Sequence, residues 1–492
     1  MEIKARTWEE LTNSSTPDWL RKAKFGIYTH WGVYSVAAFG PNVSWYPYKM
    51  YQEGSEQYEY HCRTFGDPRK VGYKDLIPQF TGEKFDAEEW AELFKRAGAR
   101  FAGPVGEHHD GFSMWDSKVN PWNAAKMGPK RDVAGELERA VRNAGMKYMI
   151  AMHHAENWKF YPHWVKEYDT SDPKYAGLYG EAHNADWGSE KRYLAEPVRW
   201  NSSLDGVIDK QWAAQDLPSK AFHEKWLEKL VEIVDGYSPD YIWFDFGLAF
   251  IQDLYQRKFL TYYREEAKKK GQEIAVSYKW NHLPVGAGLI DLEQGRFCEA
   301  TYHDWITDTT VDAGEAWGYM KNAKYKSVKS LIHYLIDNVS KNGYLLLNVG
   351  PKPDGTIPEE ARKILLGMGE WLEQYGEAIY DTTPWRAAEE GPTKMLGSGA
   401  FSEMDEVEYT HRDIRYTMHN EIIYATALGE IQNQVVLNKI FPMVYQEEIE
   451  AVYLLGNDEP LQWSREGDRM LIQTEGKKNP IANVLKIVRR KE

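Results

Sequence analysis

The chain has 492 residues, too long for one small domain and long enough for a large core. A hydrophobic share of 42% and a charged share of 27% are ordinary for a globular protein, and no run approaches the roughly 18 apolar residues of a membrane span. The net charge of −14 argues against nucleic acid or anionic membrane as a partner.

The first segments alternate between strand and helix. "KFGIYTH" (24–30) reads as a strand, and "FDAEEWAELFKRAGA" (85–99) as an amphipathic helix with Trp90, Leu93, Phe94 and Ala97 on one stripe. "RFAGPVGE" (100–107) is a strand weakened by Pro104. The helix 132–145, stopped by glycine, leads into the strand "MKYMIAMH" (146–153). The stretch 155–220, rich in Trp, Tyr, Gly and Pro and poorly periodic, reads as an insertion or lid.

The alternation then resumes. A helix at 222–237 precedes the strand "DYIWFDF" (240–246), and one around 252–270 precedes "EIAVSY" (273–278) and the short "GLIDLE" (288–293). A helix at 327–343, the strand "YLLLNVG" (344–350) and a helix at 358–376 end the series. Strands joined by helices imply a parallel sheet, and seven or more over about 350 residues favour a closed (β/α)8-like barrel. An open doubly wound sheet is the second choice, because no Gly-rich phosphate loop follows the first strand.

Beyond residue 380 the pattern changes to short alternating strands, with "REGDR" as a hairpin connection. The expected organisation is a catalytic barrel over 1–383 and a C-terminal β-sandwich over 384–492. Cys62 and Cys298 are the sole cysteines, so no disulfide framework is expected. "MEIKARTWEE" at the start carries no signal peptide. The expected setting is the periplasm or exterior of a bacterium, with a leader already removed, and the cytoplasm is the alternative.

The catalytic end of such a barrel is formed by the C-terminal ends of its strands. Those ends carry His30; His108, His109 and Asp110; His153 and His154; Trp243 and Asp245; Asp291 and Glu293. Asp245 stands out because "PDYIWFDFG" (239–247) is otherwise an apolar run, where an unpaired carboxylate is costly. It reads either as a cap or turn residue before Gly247 or as a functional group. His108 and His109, like His153 and His154, would point to opposite faces of a regular strand, so at most one of each pair should face inward unless the strand bends.

Two chemistries compete. Histidines and an aspartate at a barrel mouth could bind zinc, but no His-x-His or His-x-x-x-His spacing is present. In a sugar pocket, His and Trp would bond hydroxyls and stack on a ring while two carboxylates cleave the linkage. The strand-end aromatics Trp31, Trp45, Tyr46, Trp115, Trp158 and Trp243, among 20 Trp and 32 Tyr in all, fit the sugar pocket better.

"KFGIYTHWGVYSVAAFG…SWYPYKMY" (24–51), "EHHDGFSMWDS" (107–117), "PDYIWFDFG", "WITDTTVDAGEAWGY" (305–319) and "NGYLLLNVGPKPDGTIPE" (342–359) together resemble glycoside hydrolase family 29, the α-L-fucosidases. The resemblance runs in order over about residues 20 to 385. It implies a retaining exo-glycosidase without metal or other cofactor, acting on terminal α-L-fucose of a glycan. Asp245 falls on the family's nucleophile and Glu293 on its acid/base, with Asp291 and then Glu299 as alternatives. His30, Trp45, His108, His109, His153, Trp243 and Lys279 fall on sugar-binding positions.

Three departures bear on the sugar: Ser44 where many members have Glu, Lys279 where Arg is common, and "MHHAENW" in place of a tyrosine-rich strand end. They make an α-L-galactosidase the runner-up, followed by an inactive sugar-binding barrel. Phe25, Trp115 and Phe246 are the candidates for an apolar wall against the C5 methyl of fucose. No nucleic-acid or membrane partner is expected; an oligomer is compatible with the sequence.

Overall fold

The computed structural model describes residues 2–183, 218–313, 316–395, 397–403, 407–475 and 478–490. Residues 184–217, most of the expected lid, lie outside them. Eight parallel strands form a closed barrel: β1 (Phe25–Thr29), β2 (Phe101–Glu107), β3 (Lys147–Met152), β4 (Tyr241–Phe244), β5 (Ala275–Lys279), β6 (Leu289–Asp291), β7 (Trp305–Thr310) and β8 (Gly343–Val349). Each pairs with its neighbours in chain order, and β8 closes on β1 through Phe25↔Leu345 to Thr29↔Val349.

Alternation along the strands separates two apolar layers. Tyr28, Val105, Met149, Ala151, Trp243, Ile306 and Leu346 pack inside the barrel. Ile27, Ala102, Ile150, Ile242, Val276 and Leu347 face outward against the helices. The connecting helices begin at side-chain caps. Asp86 accepts from the backbone of Glu88 and Glu89, Asp132 from Gly135, Ser219 from Phe222 and Ser327 from Ser330.

Two sequence expectations need correction. β7 was not among the anticipated strands, since "WITDTT" carries neither an apolar run nor an alternating pattern. Its polar residues are buried yet satisfied: Thr307 donates to the Leu292 carbonyl and Asp308 meets Lys279. Pro104 does not weaken β2 either. The strand runs through it fully buried, and the irregularity falls later, as a register shift against β3 between Val105 and Glu107. Gly103 lets β3 lie close: a Cβ there would meet the Met149 carbonyl oxygen at 1.7 Å.

The C-terminal strands form a five-stranded antiparallel sheet and a three-stranded one. β9 (Thr383–Glu390), β10 (Ile414–His419), β11 (Ile422–Ala427), β13 (Ile449–Leu454) and β16 (Asn483–Arg489) make the first; β12 (Gln434–Leu437), β14 (Trp463–Glu466) and β15 (Arg469–Gln473) make the second. Tyr416, Ile423 and Ile487 of the larger sheet share one apolar cluster with Val435, Met470 and Ile472 of the smaller, which makes the pair a sandwich. "REGDR" is the β14–β15 hairpin, closed at Glu466↔Arg469 with Gly467 at φ 61°. A buried ion pair ties the sandwich to the barrel: Arg415 of β10 bonds Asp337 on the helix Val328–Ser340, 2.5 Å apart, and Lys341 adds a second cation at 3.0 Å.

Candidate active site

The strand ends surround a cavity of about 330 Å³ lined by Tyr28, His30, Trp45, His108, His153, Trp243, Asp245, Phe246, Glu293 and Asp308, with Ser44, Trp317 and Phe401 at its walls. That volume is at the small end for ligand pockets and suits a single sugar ring.

Asp245 follows the last residue of β4. It does not cap the short helix after it, Leu248–Phe250, whose N-cap is Gly247. Gly247 has φ 92°, and a Cβ there would meet the Glu156 backbone nitrogen at 2.8 Å, so the turn that presents Asp245 needs glycine. His109 Nε2 lies 3.3 Å from Asp245 Oδ2 and His153 Nε2 lies 3.8 Å from it. His109 donates from Nδ1 to the His153 carbonyl, which fixes its ring.

The expected opposition of neighbouring histidines fails at β2 and holds at β3. Beyond the register shift before Glu107 the two rings lie side by side, 4.3 Å apart: His108 lines the cavity and His109 sits beside Asp245. After β3, His153 lines the cavity, and His154 turns back to stack on Trp226. His30 donates from Nδ1 to Asn348 Oδ1 at 2.8 Å. Burial lowers the pKa of His30 to about 4 and holds His108 and His153 well below the usual imidazole range, so all three are neutral near pH 7.

Of the three carboxyls considered between 291 and 299, Glu293 lines the cavity. Its side chain keeps 15% of its surface exposed, enough to be reached from the mouth. Desolvation first, then the charges of Asp308 and Asp245, push its pKa up to about 8 against the opposing pull of Lys279. Asp291 is buried and already engaged, 2.6 Å from Lys279 Nζ and accepting from Trp243 Nε1 at 3.0 Å. Glu299 is exposed and outside the cavity.

Lys279 was expected to touch the sugar and does not line the cavity. It is buried beneath it, with Nζ at 2.6 Å from Asp291, 3.0 Å from Asp308 and 3.3 Å from Glu293, and 4.7 Å from the centre of the Trp243 ring. A compact ammonium at the end of a flexible stem can reach three carboxyls at once. Lys279→Met leaves Asp291 and Asp308 buried without a cation, a loss of about 3–5 kcal/mol. A clearly lower midpoint of thermal unfolding is the expected reading, and an unchanged midpoint would contradict this role.

The aromatic wall also differs from expectation. Trp45, Trp243 and Phe246 line the cavity, with Trp45 and Phe246 stacked at 5.9 Å. Phe25 belongs to the core, Trp31 packs on Phe80, Phe85 and Trp90, Trp115 donates to Glu232, and Trp158 stacks on His183. Tyr46 pairs with His61 instead. Of the three residues considered for the apolar wall, Phe246 is therefore the one in place.

Tyr28, Asp308, Trp317 and Phe401 escaped the sequence reading. Phe401 comes from the segment before the sandwich, which is laid along the end of β6: Phe401 N donates to the Glu293 carbonyl and Glu403 N to that of Gln294. Nothing local in "GSGAFSE" signals that contact. Asp308 could have been suspected as a carboxylate within a run of threonines; Tyr28 donates to it at 2.8 Å.

A monosaccharide-sized mouth at the catalytic end of a (β/α)8 barrel, floored by imidazoles and walled by indoles, defines a barrel glycoside hydrolase. Residues 2–377 match the family model described as Alpha-L-fucosidase. Plasma α-L-fucosidase of Homo sapiens is 30% identical over 477 residues, covering 93% of this chain and 85% of its own; tissue α-L-fucosidase of Rattus norvegicus is 29% identical over 476 residues. The crystal structure of Thermotoga maritima α-fucosidase in complex with fucose superposes with a TM-score of 0.73 at 28% identity, covering 98% of this chain and 99% of that one. The chain belongs to the α-L-fucosidase family of glycoside hydrolases. Among the described residues no helix is long and apolar enough to cross a membrane.

Proposed function

We propose that the protein is a retaining, exo-acting α-L-fucosidase that removes terminal α-L-fucose from glycans with Asp245 as nucleophile and Glu293 as acid/base. The observation that carries this reading is a pair of carboxyl groups from different strand ends, Asp245 and Glu293, lining one small cavity, the second with its pKa raised to about 8. A retained proton at neutral pH is what a general acid requires. The fucose complex of the Thermotoga maritima relative supports the choice of sugar.

Asp245 attacks the anomeric carbon while Glu293 protonates the departing glycosidic oxygen. The resulting ester is opened by water whose proton returns to Glu293, so two inversions give net retention. His30, His108 and His153, neutral and crowded at the floor, are placed to bond sugar hydroxyls. Trp45, Trp243 and Phe246 offer apolar faces, and the small volume favours a chain end over an internal residue.

An α-L-galactoside is the second reading. Ser44 and Asn42, both in the cavity lining, add a hydroxyl and an amide where a strictly apolar pocket would exclude the extra oxygen. A hydrophobic pocket discriminates against one added hydroxyl by about 10²-fold. A nitrophenyl glycoside panel (α-L-fucose, α-L-galactose, β-D-galactose), run with and without chelator, is the test. Release is expected from the α-L-fucoside, with no loss on chelation. Loss with chelator would favour a metal hydrolase, and binding without release an inactive sugar-binding barrel.

A further inference from the structure

We propose that His30, His108 and His153 also form an inhibitory site for a divalent transition-metal cation of the zinc, copper and nickel class, in the same space as the sugar. The competition between ion and sugar rests on the pocket assignment above; the binding itself does not.

Each of the three rings offers one ligand nitrogen, and these atoms lie within 4.8 Å of one another. Zinc–imidazole bonds of about 2.0–2.1 Å in a tetrahedron place the nitrogens about 3.3 Å apart, so closure needs at most about 1.5 Å of ring movement. Rings held by contacts with one another can move together: His108 and His153 stack at 4.7 Å, and His30 meets them edge-on at 5.4 and 5.2 Å.

The ring nitrogens are set up to ligate. Asn348 donates its amide to Thr310 Oγ1 and the Trp317 carbonyl, which fixes its oxygen toward His30. His30 therefore keeps its proton on Nδ1 and presents the Nε2 lone pair, the arrangement by which metal-binding histidines are oriented. His108 Nδ1 and His153 Nδ1 are buried with no hydrogen-bond partner among the described residues. Nitrogen donors select zinc, copper or nickel over calcium and magnesium, which prefer oxygen cages.

Calorimetric titration of the full, chelator-treated chain with zinc alone tests the proposal. One equivalent is expected to bind, weakened more than about 100-fold in His108→Asn and His153→Asn and about 10–100-fold in Asn348→Leu, which removes the acceptor that orients His30. L-Fucose at saturation should weaken zinc binding, and zinc should inhibit glycoside release reversibly on chelation. Should a variant fail to fold, X-ray absorption at the zinc edge of the wild type should report nitrogen ligands at about 2.0–2.1 Å. No zinc binding, or binding unchanged in both His variants, overturns the site. Zinc bound through these histidines but indifferent to L-fucose overturns the competition, and turnover of the zinc-free α-L-fucoside reports on the catalytic reading separately.

Discussion

Asp245→Ala is expected to lower kcat on an α-L-fucoside by about 10⁴–10⁶-fold, because the covalent step loses its nucleophile while the rest of the cavity stays. The vacated volume beside His109 and His153 is large enough for a small anion. With a nitrophenyl leaving group, azide should therefore attack C1 from the face Asp245 occupied, forming a C–N bond as nitrophenolate departs. The product is the β-L-fucosyl azide, inverted relative to the substrate, and proton NMR of the anomeric signal identifies it. Near-normal turnover, or restored rate with no glycosyl azide, would remove Asp245 from the nucleophile's role.

The second large effect belongs to Glu293. Glu293→Gln should slow hydrolysis of a fucosyl disaccharide by about 10²–10⁴-fold, because its alcohol leaving group needs the proton. A nitrophenyl fucoside should form its ester with far less penalty. The pH dependence follows from the raised pKa. Glu293 must be protonated to act, so kcat/KM falls as pH rises through about 8. That alkaline limb should vanish in Glu293→Gln. Lys279 opposes the rise, so in Lys279→Met the limb should move to higher pH. Glu299→Gln, altering an exposed carboxylate outside the cavity, should leave the profile where it was. An unchanged limb in Glu293→Gln would place the titrating acid elsewhere.

Most of the barrel could be read from the chain because strands buried on both faces and amphipathic helices leave periodic traces, and side-chain caps such as Asp86 and Ser327 mark where helices begin. β7 left no such trace: Asp308 is satisfied by Lys279 of β5 and Tyr28 of β1, and Thr307 by the Leu292 carbonyl, none of them a close neighbour in sequence. Phe401 is a similar case, brought to the cavity by backbone bonds to Glu293 and Gln294 across more than a hundred residues.

What the sequence by itself determined was the set of chemical groups at the strand ends, from His30 through His153 to Asp245 and Glu293, since a parallel barrel places every strand's C-terminal end on one face. Only the tertiary structure decided how those groups divide the work. The registers of β5 on β6 and of β6 on β7 set Lys279 among Asp291, Asp308 and Glu293, outside the cavity lining. Past the register shift at the end of β2, His108 came to the cavity and His109 to the side of Asp245. Both outcomes depend on register and burial between strands far apart in the chain, and a linear pattern carries no information about either.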